Sequence, residues 1–199
     1  MDLIFASALI GYHRIEGHPL TWQEFSKQMR YPHIKGKDLL WGFVIFVVGN
    51  ISLGAFSWLS LQVINAGMIP LPDGLPALVN PQLRTTNETL NHAAGGQISG
   101  QWSVIFFALV THFFNIFGEE LWWRGYILYR YELAFGRYTW LVHGLIWAGF
   151  HVFKWWDLLA LVPVYLLAAF SAQKLKNNWS AFIGHTLTNF FMIPLWDHG

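Results

Sequence analysis

The 199-residue chain holds 54% apolar and 18% aromatic residues against only 12% charged, with a net charge of +1 and no cysteine. An ordinary soluble domain carries roughly 25% charged residues, so the composition excludes one and reads as an all-α fold, a polytopic transmembrane helical bundle. The charge balance offers no basic run or stripe for nucleic acid, and the lack of thiols excludes a disulfide frame, a cysteine nucleophile and a thiolate metal site.

In chain order, the opening "MDLIFASALIGY" is too short an apolar run to cross a bilayer, which takes about 20 residues of helix. It also lacks the basic start and small-residue cleavage site of a signal peptide. It reads as part of a transmembrane helix whose upstream half lies outside the sequence, followed by a basic cytoplasmic segment to residue 38. Leu39–Met68 is long enough to span with tilt. Residues 69–101, rich in Pro, Gly and Asn, read as an irregular external loop, within which Asn87-Glu88-Thr89 fits a glycosylation sequon. Trp102–Gly118 continues as helix-compatible sequence to about Ala134, and Tyr138–Lys154, Leu158–Gln173 and Trp179–Leu195 follow. Pro163 lies inside one of these spans, and Pro194 at the very end of the last. The whole chain reads as one integral membrane domain, with residues 102–195 carrying the motifs described below.

Alternation of the spans puts Arg14, Lys27, Arg30, Lys35, Lys37, Arg124, Arg130, Arg137, Lys174 and Lys176 on one side and leaves Arg84 and Lys154 on the other. This bias predicts a multi-pass protein, expected in the plasma membrane, with its basic loops cytoplasmic. Trp41, Trp102, Trp155, Trp156, Trp179 and Trp196 fall at span ends, where interfacial belts place tryptophan.

Against this background Glu119 and Glu120, in "FGEELWWRG", stand out. A charged group at the bilayer centre costs about 2.5 to 3.5 kcal/mol on the lenient insertion scale, and the remaining acidic residues lie in loops, in the first residues or near span ends. One reading is that "EELWWR" starts an interfacial amphipathic helix. The other is a membrane-embedded polar cavity. Glu120 and Arg124 at i, i+4 can pair in the favourable order, while Glu119 points roughly 100° away and is left free. His151 lies late in the third span, and His185 and Asn189 lie one turn apart on one face of the last. If the chain reverses at Ala134–Arg137, residues 119 and 151 stand equally far from the turn, each roughly 24 Å deep. His112 and Asn115 share the face of Glu119, and His143 precedes His151 by two turns. These three read as lining or packing groups.

Glu119-Glu120-x-x-x-Arg124, Trp147-x-x-x-His151 and His185-x-x-x-Asn189, in this order, resemble the EExxxR, FxxxH and HxxxN/D motifs of the CPBP family. That family, formerly called ABI, comprises CAAX prenyl proteases together with bacteriocin-processing and immunity-related proteins. The likeness covers about half the chain, and Trp147 stands where the family usually has Phe, which implies altered packing with the chemistry retained. The resemblance implies a metal-independent glutamic endopeptidase with no cofactor, acting on membrane-anchored or prenylated substrates from the cytosolic side. Glu119 would activate water, His151 would orient it, His185 and Asn189 would stabilise the oxyanion, and Glu120 and Arg124 would shape the site.

Three alternatives stay open. A zinc protease could use the same Glu and His residues, although HExxH is absent and Asn is a poor zinc ligand. A non-catalytic immunity or scaffold protein need not keep all four polar residues. A proton-coupled transporter would use Glu119 as carrier, and would be expected to show repeats or broken helices. The sequence leaves the substrate and the oligomeric state undetermined.

Overall fold

The computed structural model describes residues 2–76, 79–83, 91, 95, 96 and 100–192. Arg84, the Asn87-Glu88-Thr89 triplet, Trp196, Asp197 and the end of the last expected span, residues 193–195, lie outside them. The described residues are helical, turn or irregular and contain no strand. Helix α1, Asp2–Ile10, runs into a π-helical turn, Gly11–Ile15, and α2 is Trp22–Gln28. Helix α3 is Gly36–Asn65 and α4 is Trp102–Glu120; a π-helical segment, Leu121–Ile127, joins α4 to α5, Leu128–Phe135. A 3-10 turn, Gly136–Tyr138, leads to α6, Thr139–Phe150, and a second, Val152–Asp157, leads to α7, Leu158–Leu175; α8 is Trp179–Met192.

Three helical stretches are long and apolar enough to cross a membrane: Gly36–Asn65, Trp102–Phe150 and Val152–Leu175, with mean hydropathies of 2.0, 1.4 and 1.7. The second folds back on itself at Gly136, whose φ of +50° lies in the region that glycine adopts without steric cost. The reversal expected at Ala134–Arg137 is therefore present. Across it His143 Nε2 meets the Trp123 carbonyl at 2.8 Å, and Trp123 packs edge-on to Phe150. One expected span is shorter than the sequence suggested: α6 stops at Phe150, and its 12 residues rise only about 18 Å, short of the roughly 30 Å of a hydrocarbon core.

Helix α3 packs along α7 and α8, and α6 packs along α7. Small residues set these approaches, as expected where helices associate by close backbone contact in lipid: Ala160, Ala168, Ala169 and Ala172 on α7 are buried, as are Gly42 on α3 and Gly184 on α8. The opposite faces of α3 and α4 expose Leu40, Phe43, Ile51, Trp58, Phe106 and Phe107, the surface a helix presents to acyl chains. Asp38 fixes the start of α3. Its Oδ2 accepts from the Lys35 backbone N–H at 2.8 Å and from Asn177 Nδ2, in the α7–α8 turn, at 2.8 Å.

The first 35 residues join the same bundle. α1 and its π turn lie against α4 and the π-helical segment, burying Ala8, Tyr12, Met29 and Tyr31 with Leu121. This contact explains the two glycines that bracket the acidic motif. A Cβ on Gly118 would lie 3.2 Å from Phe5 Cβ, and one on Gly125 would lie 3.3 Å from Met29 Sδ.

Candidate functional site

The acidic pair sits where α4 changes from α to π geometry. An i→i+5 turn inside an α-helix is uncommon and recurs at functional sites. Around it, the backbone from Gly118 to Gly125 is buried at every position except Trp122, with Glu119 5% exposed and Glu120 and Arg124 fully enclosed. The interfacial-helix reading, with carboxylates in headgroup water, does not fit this burial.

The two glutamates have different surroundings. Glu120 Oε1 accepts from Arg124 Nη1 at 2.9 Å and from His185 Nδ1 at 2.7 Å, so a carboxylate out of water is met by two charge-assisted donors. The bond to His185 was not anticipated from sequence. The Arg124 guanidinium also lies over the ring of Trp147 at 3.4 Å, a cation–π contact that a desolvated cation gains most from. Glu119 has no hydrogen-bond or ion-pair partner among the described residues. It interacts electrostatically with His151 on the facing arm of the hairpin.

His151 is the residue at which α6 ends. Its Nδ1 faces the Trp147 carbonyl at 3.1 Å, and a carbonyl only accepts, so Nδ1 carries the proton and Nε2 holds the lone pair. Beyond it the chain passes from α to 3-10 geometry, with Lys154 at a non-helical φ −117°, ψ 53°. The sequence expectation of an unbroken helix through Lys154 is thus corrected: the segment breaks at His151, although "HVFKWWD" contains neither Gly nor Pro.

Trp147 is the hub of the site. Besides Arg124, its ring lies 5.8 Å from His185, 6.0 Å from His151 and 3.7 Å from Tyr165, centroid to centroid. Indole offers a broader face than the phenyl ring the motif usually carries. Asn189 donates Nδ2 to the His185 carbonyl of its own helix at 3.0 Å, which leaves one amide hydrogen and Oδ1 for other partners. Of the lining candidates, His112 senses His185 electrostatically, and His112 Nε2 and Asn115 Oδ1 are buried without a partner among the described residues. His143 is engaged at Nε2 by the Trp123 carbonyl.

Two residues near the site escaped the sequence reading. Tyr165, buried on α7, lies tilted 5.1 Å from the His151 ring and interacts with Glu119 and Arg124; a lone tyrosine in an apolar span was its only signal. Tyr31, from the loop after α2, is wedged against Phe117 and Trp179. Burial pushes its phenol well above the usual value, the Glu120 charge adds to this, and Arg124 opposes it. Nothing in its local sequence marks it, because its neighbours at the site are some ninety residues away in the chain. No three His, Asp or Glu side chains converge as a metal shell among the described residues.

Residues 101–191 match the family described as type II CAAX prenyl endopeptidase Rce1-like. No curated protein and no solved structure matches the chain.

Proposed function

We propose, for a membrane protein that belongs to the Rce1-like family of type II CAAX prenyl endopeptidases, an intramembrane endopeptidase that uses Glu119 as its general base. The observation that carries this reading is the division between the glutamates: Glu120 is held by Arg124 and His185, while Glu119 is buried, uncommitted and within electrostatic reach of His151. A carboxylate without a cation partner is free to take a proton. In this mechanism the lone pair on His151 Nε2 accepts a hydrogen bond from water, Glu119 removes the water's other proton, and the hydroxide oxygen bonds to the scissile carbonyl carbon. The oxyanion faces His185 Nε2 and the remaining Asn189 N–H. Since Nδ1 of His185 is already donated to Glu120, Nε2 serves as a donor when the ring carries both protons. Glu119 then returns its proton to the leaving amide nitrogen as the C–N bond breaks. Each well-aimed oxyanion donor is worth about 3 to 4 kcal/mol.

Arg124, Glu120 and Trp147 position these groups, and neither metal nor organic cofactor takes part. The substrate is a membrane-anchored peptide, in keeping with the family. The end of the bundle that bears Lys27, Arg30, Arg137, Lys174 and Lys176 faces the cytosol of the plasma membrane by the positive-inside rule. One experiment separates this reading from the transporter alternative. Purified protein in detergent should cleave a farnesylated reporter peptide with a CAAX-type C-terminus. Glu119→Ala should abolish cleavage with unchanged helicity, and excess chelator should leave the wild-type rate unaltered. Full activity in Glu119→Ala would sink the glutamic mechanism, and loss on chelation alone would favour zinc.

A further inference from the structure

One end of the bundle has a cavity of about 860 Å³ between α2, the loop that follows it and the start of α8, with Tyr31 as the wall nearest the Glu120–Arg124 pair. Lys27, Arg30 and Lys176 line it. A second hollow of about 260 Å³, lined by Arg137 and Lys174, shares Lys176 with the first. Five cations thus ring two adjoining depressions. Glu132 is the carboxylate that meets them, accepting from both guanidinium nitrogens of Arg30 and from Lys176. Lys27 is exposed and has no partner among the described residues.

The backbone supplies a second, independent observation. Among the described residues, Arg30 (φ +57°) and Lys176 (φ +52°) are the only non-glycine residues in the left-handed region, and both face this cavity. Each follows a helix end, where glycine is the usual choice. The chain accepts the steric penalty of a side chain at both positions, and at both the side chain is a cation. Strain of this kind, retained at two neighbouring cationic positions, is found at ligand clamps.

Apolar groups frame the basic ring. Trp22, a wall of the cavity, is 65% exposed, Ile34 beside it is 49% exposed, and Leu20 nearby is 66% exposed. Trp179, the facing wall, is fixed by donating its indole N–H to the Pro32 carbonyl at 2.6 Å. A soluble anion has no use for exposed indole and aliphatic surface. A molecule with a phosphate at one end and acyl chains at the other uses both.

We propose that this cavity is a binding site for an anionic phospholipid, its headgroup phosphate held by Lys27, Arg30 and Lys176 and its acyl chains lying along Trp22 and Ile34. Basic pockets between helices at the cytoplasmic side of a membrane protein suit such headgroups. The site is separate from the proteolytic reading and stands or falls without it.

The test is native mass spectrometry of the full chain released from nanodiscs containing equal amounts of phosphatidylglycerol and phosphatidylcholine with the same acyl chains. The wild-type protein should retain phosphatidylglycerol in clear excess. Lys27→Gln combined with Lys176→Gly should reduce that retention by about fivefold per cation removed, or roughly 25-fold together. Lys176→Gly also relieves the left-handed strain, so its melting temperature should not fall, which separates lost binding from lost folding. Lys154→Gln, at the other end of α7, should retain the lipid as the wild type does. Equal retention of the two lipids, or undiminished retention of phosphatidylglycerol by the double variant, would overturn the proposal. Complete displacement of phosphatidylglycerol by millimolar inorganic phosphate would also overturn it, in favour of a free-anion site.

Discussion

The Glu120–Arg124 pair can be tested as a unit, because its two members fail differently when removed. Arg124→Met takes away the donor at 2.9 Å and leaves a fully enclosed carboxylate with His185 alone at 2.7 Å. Breaking a buried ion pair from one side costs about 3 to 5 kcal/mol, most of it for the stranded charge. The surviving imidazole donor places this variant toward the lower end. Glu120→Gln strands Arg124 instead, but the guanidinium keeps the face of Trp147 at 3.4 Å, a contact worth about 2 kcal/mol when desolvated, and the amide oxygen can still accept from it. Its cost should be the smaller. The double variant contains neither charge, so its loss should fall well short of the sum, with a coupling of about 2 to 3 kcal/mol. Denaturing-detergent titration in mixed micelles, followed by the fluorescence of the 12 tryptophans, reads all three variants. Additive costs, within about 0.5 kcal/mol, would refute the argument that charge compensation is what the pair supplies.

Two further outcomes follow from packing. A Cβ on Gly184 would lie 2.5 Å from Ile45 Cγ2 and 3.1 Å from the Gly42 carbonyl, so Gly184→Ala should cost about 1 to 3 kcal/mol by prising α8 from α3 and should lower cleavage by shifting His185; Gly54→Ala, with nothing within 4 Å, is the control and should be neutral or better in the same titration. Trp147→Phe restores the usual motif residue but shrinks the platform under Arg124 and Tyr165. It should destabilise by about 1 to 2 kcal/mol, the loss of a large-to-small change and a weaker cation–π face, and stability equal to wild type would show that the indole is not the platform.

The sequence displayed what depends on local pattern and relative position. Hydropathy located α3, α4 and α7, and the reversal at Gly136 was legible because "AFGR" separates two apolar runs. The i, i+4 spacing of Glu120 and Arg124 was enough to pair them. What stayed hidden depends on long-range packing. The break at His151 has no glycine or proline to announce it; α6 ends there as its last residues meet Trp147, Phe153 and Tyr165 from other turns and another helix. The π-helical register of Leu121–Ile127 is likewise unmarked, since i→i+4 and i→i+5 turns place similar demands on composition. Tyr31 reaches the Glu120–Arg124 pair only because Asn178 ties the preceding backbone to the start of α8, through its N–H to the Arg30 carbonyl at 2.8 Å and its side chain to the Met29 carbonyl at 2.6 Å.

These long-range ties account for two adjacent glutamates where the proposed proton transfer needs only one. A lone buried carboxylate would attract whichever cation the fold brought near and would be held by it. With Glu120 beside it, Arg124 is already engaged, and so is Nδ1 of His185. Glu119 is therefore left without an ion-pair or hydrogen-bond partner among the described residues. Glu120 sets both the charge balance and the orientation of His185, so its loss disturbs the proposed oxyanion donor while leaving Glu119 in place. Loss of Glu119 removes no hydrogen bond from Arg124 or His185 among the described residues, although it removes part of the negative charge that Arg124 senses. The residues act as a unit in which contributions do not add, and the asymmetry has a direction: the supporting glutamate carries stability and geometry together, whereas the neighbour assigned the chemistry carries little of either.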